Sequence, residues 1–272
     1  MIKNIKNLQK VFSEECDFAK LMRKANRFAH MRYHYLIALK TALSIKDEYI
    51  KSENQKEIEN WNMLIEAVSK NIEVDYDFKE IKEIDAYNIF TKSVFEVVTS
   101  KSLGTCFLVD KKDGIGYFVT NRHVVEKSTY VRIVSNDKVV DVNATIEDMD
   151  KNYDIALIKA SINNDNIVPV TFADPEEVHE GVKLYIVGNR SGLGLGFITG
   201  FVASFLNENI MMSMKTEHGT SGSSVFDVYG SVIGLNCGIM GEVPYCISEK
   251  VIIDYLKRFN LKIRMTPKVK YN

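Results

Sequence analysis

Along the first 85 residues, apolar side chains recur every three or four positions. Phe18, Leu21, Ala25, Phe28, Tyr35, Leu39 and Ala42 fall on one stripe, and Trp61, Leu64, Ile65, Val68 and Ile72 on another. That period stacks side chains on one face of an α-helix. The stretch contains neither Gly nor Pro. A breaker-like run from Ser44 to Lys51 predicts the turn of a helical hairpin or small bundle, with Ser52 and Gln55 as a capping box for the second helix.

From about residue 92 the period shortens. The runs SVFEVV, TCFLVD, GYFVTN, YVRIV, DIALIKA, KLYIVG, FITGFVASF, IMMSM and SVIGLNC are short, rich in β-branched and aromatic residues, and separated by turns. Regular short strands of this kind predict a mainly β region, and its length suits two small barrels. One amphipathic helix, EKVIIDYLKRF at 249–259, closes the pattern. The patterning therefore divides the chain into an α-helical N-terminal domain (1–85), a β domain (86–262) and a C-terminal tail (263–272).

Composition narrows the class without naming a function. The chain has 272 residues, 46% hydrophobic and 26% charged, with a net charge of −1. This is ordinary globular composition and argues against a nucleic-acid partner. The four cysteines, Cys16, Cys106, Cys237 and Cys246, are scattered, with no C-x-x-C pair and no zinc-type spacing. They predict free thiols in a reducing compartment. The N-terminus is charged throughout, and the nearby apolar run Tyr35 to Leu39 is too short to span a bilayer. The expectation is a cytoplasmic protein without a membrane span. His30 and His34 have the spacing of a helical zinc pair, but HMRYH lacks the catalytic Glu and lies among Lys20, Arg23, Lys24, Arg27 and Arg32. A solvated basic face is expected there, with neither metal nor cofactor.

Acyl transfer by serine needs a hydroxyl activated by an imidazole, a carboxylate that orients the imidazole, and amide donors for the oxyanion. In GYFVTNRHVV an apolar strand delivers His123 at its end. In NYDIALIKA, Asp154 precedes an alternating strand, while Asp148 and Asp150 are alternatives of the same type in a polar stretch. In HGTSGSSVFD, Gly219 permits a backbone in which the amides of Gly219 and Ser221 converge. Ser223 and Ser224 open an apolar run instead, so at least one should face the barrel interior.

With GTCFLVD, GYFVTNRHVV, YDIALIKA, VGNRSGLGLGFITGFV, HGTSGSSVFD and GSVIGLNCG together, residues 92–260 resemble the trypsin-like serine peptidases, in the HtrA/DegP and glutamyl-endopeptidase branch. The resemblance implies a two-barrel chymotrypsin-like fold. It makes His123 the general base, Asp154 its orienting partner, Ser221 the nucleophile, and the Gly219 and Ser221 amides the oxyanion hole. It implies a substrate-binding set of Lys215, Thr216, His218, Asn236 and Gly238, where Lys215 would favour an acidic side chain. Thr220, standing where digestive relatives carry Asp, removes activation by a newly released N-terminus. Cys237 and Cys246 flank a hairpin and read as packing thiols. The implied function is an endopeptidase acting on protein or peptide substrates, with residues 1–85 serving a regulator or self-association. A catalytically silent pseudoprotease acting as a scaffold is the alternative.

Overall fold

A computed structural model describes residues 2–24, 28–72, 80–164 and 166–266. The chain forms two compact units, Met1–Lys79 and Glu80–Asn272, against an expected boundary at residue 85.

The first unit contains helices α1 (Ile2–Lys24), α2 (Phe28–Lys51) and α3 (Gln55–Ile72). The expected break at Ser44 to Lys51 does not occur. Helix α2 runs through it because Ile45 is fully buried and anchors the segment, and the Ser44 hydroxyl is tied to the Lys40 carbonyl one turn earlier and caps no new helix. The turn falls at residues 52–54. The cap of α3 is Asn54, whose Oδ1 accepts from the Glu57 amide at 3.3 Å, while Ser52 bonds to the Tyr49 carbonyl. Ile5, Ala42, Ile45 and Trp61 form the core, with Phe12 edge-on to Trp61 at 5.0 Å. The stripe residue Ala25 and the side chains of Phe28 and Ile72 lie outside the described residues.

His34 corrects the solvated-face expectation. It is 2% exposed, and its Nδ1 lies 2.6 Å from the buried Glu15 carboxylate. A carboxylate across the helix pair, invisible to local sequence, lets the imidazole enter the core. The side chains of His30, Arg23, Lys24, Arg27 and Arg32 lie outside the described residues. No described helix is long and apolar enough to cross a membrane.

The second unit opens with α4 (Glu83–Phe90) and continues into two closed antiparallel barrels. The first comprises β1 (Val94–Thr99), β2 (Leu103–Lys112), β3 (Ile115–Asn121), β4 (Val131–Val134), β5 (Asp141–Asp150) and β6 (Ile155–Ser161), ordered β1-β2-β3-β6-β5-β4. Helix α5 (Arg122–Val125) follows β3 directly. The second barrel comprises β7 (Lys183–Asn189), β8 (Leu195–Leu206), β9 (Asn209–Met212), β10 (Ser224–Asp227), β11 (Val232–Met240) and β12 (Val243–Ser248), ordered β10-β11-β12-β9-β8-β7, and α6 (Glu249–Leu256) ends it.

Each barrel packs its own interior. Phe95 meets Phe118 edge-on at 5.2 Å in the first, and Leu184, Ile186, Val202 and Ile210 fill the second. A third cluster joins Phe107, Val119 and Leu157 of the first barrel to Val187, Phe226 and Leu235 of the second, closed over by α4 and α6. This seam is apolar, which fixes the barrels against each other. The segment expected to begin a tail is pinned at its start: Arg264 O and the Thr266 amide bracket Phe172 at 2.8 and 2.7 Å, and Arg264 Nη1 pairs with buried Asp110 at 3.0 Å.

Candidate active site

Strand β3 ends where α5 begins, so the chain turns sharply at Arg122 and presents His123 at the rim of the first barrel. Asp154 stands one residue before β6, which pairs with β3 through Asn121 and Ile155. Register alone therefore brings the two residues together across 31 positions. Asp154 has φ +54°, a left-handed conformation that few residues other than Gly adopt. Its carbonyl is held there by the Arg122 amide at 3.0 Å and Asn121 Nδ2 at 3.2 Å. The carboxylate then grips His123 twice, accepting from its amide at 2.9 Å and lying 2.6 Å from its Nδ1. A carboxylate can only accept, so Nδ1 carries the proton of the neutral ring and Nε2 keeps a lone pair. Asp148 and Asp150 stand elsewhere, at the end of β5, where both pair with Arg258.

Ser221 comes from the second barrel, in the turn before β10. Ser221, Gly219, His218 and His123 line one cleft of about 680 Å³ together with Thr99, Lys101, Ser102, Leu103, Val124 and Ser191. The Ser221 hydroxyl donates to the Cys237 carbonyl at 3.2 Å, and no hydrogen bond joins it to His123. Ser223 and Ser224 are both fully buried.

Three carbonyls around Ser221 are tied down. His218 O accepts from the Ser191 amide at 2.9 Å, Gly219 O from Thr105 Oγ1 at 2.9 Å, and Thr220 O from Asn236 Nδ2 at 2.8 Å. In a trans peptide the N–H points opposite to the C=O. The Gly219 amide is thus turned away from Ser191 and the Ser221 amide away from Asn236, and neither donates to a backbone carbonyl among the described residues. Gly219 holds φ +91°, where a Cβ would also meet Asn189 O at 2.9 Å.

The other residues expected to bind substrate do not line this cleft. Lys215 is exposed and acts through its charge on Glu217, Thr216 is buried, and Asn236 is fully buried with its amide spent on Thr220. Gly238 sits at the bulge between β11 and β12. All four cysteines are free. Cys237 packs in the seam and Cys246 in the second barrel, on opposite sides of the sheet, and burial pushes the Cys237 thiol up to about 12. Sequence reasoning missed Thr105, Asn121 and Asn189. Each is a polar residue with no exposure, which only burial could single out.

Residues 104–235 match the family described as a trypsin-like peptidase domain. This part of the β unit is similar to a trypsin-like peptidase domain. Among curated relatives, a probable periplasmic DegP-like serine endoprotease of Rhizobium meliloti is 28% identical over 161 residues, covering 52% of this chain and 31% of the relative. The periplasmic serine endoprotease DegP of Escherichia coli is 31% identical over 149 residues, covering 51% of this chain and 30% of DegP. The chain thus spans about a third of the length of these curated relatives. The solved serine endoprotease of Yersinia pestis shares the fold at a TM-score of 0.58 and 18% identity, over 68% of this chain and 67% of that one. The β unit is thus similar to HtrA/DegP-like proteins, and the curated relatives are named serine endoproteases.

The same names correct the cytoplasmic expectation, since both curated relatives are periplasmic. The inference from cysteines fails for a physical reason: Cys106, Cys237 and Cys246 are buried, so packing keeps them unpaired whatever the surrounding redox poise.

Proposed function

We propose that the chain is a serine endopeptidase that cleaves protein substrates through a His123–Asp154–Ser221 triad and an acyl-enzyme. The observation that carries this reading is the double grip of Asp154 on His123, which leaves Nε2 basic in the cleft that Ser221 also lines. Rotation about the Ser221 Cα–Cβ bond exchanges the Cys237 carbonyl for His123 Nε2. The imidazole then takes the hydroxyl proton as Oγ attacks the scissile carbonyl. Negative charge develops on the carbonyl oxygen, where the Gly219 and Ser221 amides stabilise it. His123 returns its proton to the leaving amine, Ser221 stays acylated, and a water activated by the same imidazole releases the product.

A fluorophosphonate probe tests the reading. Labelling of the wild type, lost in Ser221→Ala and kept in Ser223→Ala, is the expected result. Labelling that survives Ser221→Ala overturns it. In Asp154→Asn the labelling rate should fall by about 10⁴-fold, as the wrong tautomer is then favoured.

One observation favours the silent alternative, a scaffold of the same fold: the Ser221 hydroxyl is engaged by Cys237 O and not by His123. A wild-type chain that never reacts with the probe, even at high concentration, would select it.

For the N-terminal helices, self-association is the reading that the surface supports. Leu36, Leu43 and Ile50 of α2 are exposed at seven-residue intervals, with Lys40 and Asp47 beside them. A two-fold axis at Leu43 would set Leu36 against Ile50 of a second copy and Lys40 against Asp47, a self-complementary patch of the kind isologous dimers use. Light scattering should give a dimer for the full chain and a monomer for Leu43→Lys. A wild-type monomer would refute it.

A further inference from the structure

Asn189 ends β7 in the second barrel and is fully buried, although nothing in its strand requires a polar side chain there. Its hydrogen bonds run in three directions. Nδ2 donates to the Glu96 carboxylate on β1 of the first barrel. Oδ1 accepts from the Gly192 amide at 2.7 Å, which fixes which end of the amide faces which partner. The Asn189 amide donates to Thr105 Oγ1 on β2 at 2.9 Å.

Two of these routes end on the peptide groups beside Ser221. In the first, Oδ1 closes a tight turn over residues 189–192, with Ser191 at φ +54° and Gly192 at φ +83°. That turn aims the Ser191 amide at His218 O, and the carbonyl so captured points the Gly219 amide the other way. In the second, Thr105 Oγ1 accepts from the Asn189 backbone amide and donates a hydrogen bond to Gly219 O. Thr105 also donates its amide to Ser221 O at 2.9 Å. Burial raises the Glu96 carboxyl, an effect partly offset by Lys138, so this carboxylate has cause to keep its donor.

We propose that Asn189, held by Glu96 and acting through Thr105 and Ser191, is the positioning residue that keeps the 218–219 peptide in its oxyanion-binding orientation. The proposal rests on the serine-peptidase reading for its consequence, though not for its geometry. Donors placed in advance of the reaction stabilise developing charge without reorganisation. A peptide free to turn over would lose that advantage while Ser221, His123 and Asp154 stayed in place.

The direction of the Glu96–Asn189 bond supplies the test. Asn189→Asp keeps an acceptor for Gly192 but loses the donor and sets two carboxylates face to face. Glu96→Gln keeps an acceptor for Asn189. In the double variant E96Q/N189D the Gln amide donates to the new carboxylate, which restores the bond with its polarity reversed.

With the full chain, the fluorophosphonate labelling rate should fall by about 10²-fold in Asn189→Asp, the loss expected for one oxyanion donor. It should stay near wild type in Glu96→Gln and return to within about tenfold of wild type in the double variant. A merely structural role would move the thermal midpoint without this restoration. Wild-type labelling in Asn189→Asp, or a double variant as slow as the single one, overturns the proposal. Crystal structures of the wild type and Asn189→Asp carry the test independently of reactivity. A 218–219 peptide that turns over in the variant supports the proposal, and an unchanged peptide with Ser191 still on His218 O refutes it. A wild type inert to the probe, whose peptide nevertheless follows Asn189, would remove the peptidase reading alone.

Discussion

Glu249 opens α6 with its side chain 2% exposed, and its Oε2 finds no hydrogen-bond partner among the described residues. Burial raises its carboxyl from 4.5 to about 7, with the Asp174 charge adding a smaller push and its own backbone amide opposing. That difference corresponds to about 3 kcal/mol at full ionisation, taking about 1.4 kcal/mol per pH unit. The folded state therefore binds the proton more tightly than the unfolded one. Between pH 4.5 and about 7 the unfolded state holds fewer protons, so stability falls as pH rises through this window and levels off above it.

Glu249→Gln removes the charge while keeping the shape. At pH 8 it should stabilise the peptidase unit by up to about 3 kcal/mol, and near pH 4.5 it should change little. Urea denaturation of the full chain at both pH values, followed by far-UV circular dichroism, measures the difference. The single tryptophan, Trp61, lies in the helical unit, so its fluorescence separates the unfolding of that unit. An equal effect of the substitution at the two pH values, or a loss of stability at pH 8, would refute the reasoning.

Gly222→Ala should cost more than about 1 kcal/mol and abolish probe labelling, since φ is +87° and the new Cβ would lie 2.0 Å from Thr105 O; retention of both properties in a melting and labelling assay would contradict the geometry. Arg264→Met leaves the buried Asp110 carboxylate without its cation and should destabilise by about 3 kcal/mol, read as a lower urea midpoint; a midpoint equal to wild type would show that the pair contributes nothing. Under native conditions iodoacetamide should modify Cys16 before the other thiols, because burial holds Cys106 and Cys246 far above their ordinary range and Cys237 at about 12. Peptide mapping that finds Cys237 alkylated as fast as Cys16 would be inconsistent with this.

The elements legible in the sequence were those whose apolar pattern is continuous. Strand β6 was plain because Ile155, Ala156, Leu157 and Ile158 are all buried and form an unbroken run. Strand β5 is hard to read from DVNATIEDMD because its half-covered face carries Val142, Ala144 and Ile146 but then Asp148 and Asp150, and polar residues fill most of the exposed face. Strand β10 is four residues long and begins on buried serine, and β12 carries Pro244, which weakens any strand signal. The break expected at Ser44 to Lys51 was misplaced because its polar residues occupy the outer face of a helix that Ile45 anchors inside.

The site divides along the same line. The proposed triad residues His123, Asp154 and Ser221 stand out in the sequence because His123 and Asp154 sit at the ends of apolar strands and Ser221 lies in a turn between Gly219 and Gly222. What fixes them was not. Thr105 lies 114 residues from the Gly219 carbonyl that it holds, and Asn189 lies 93 residues from Glu96. Such bonds leave no local period, and each residue alone reads as a polar interruption of a strand. The serine turn belongs to the second barrel by sequence, yet Thr105 of the first barrel clasps it at Gly219 and Ser221. The apolar seam between the barrels thus does more than stabilise the fold. A shift of one barrel against the other would pull Thr105 from Gly219 and move His123 relative to Ser221, so the packing of Phe107 and Val119 against Val187 and Leu235 sets the alignment of the proposed triad.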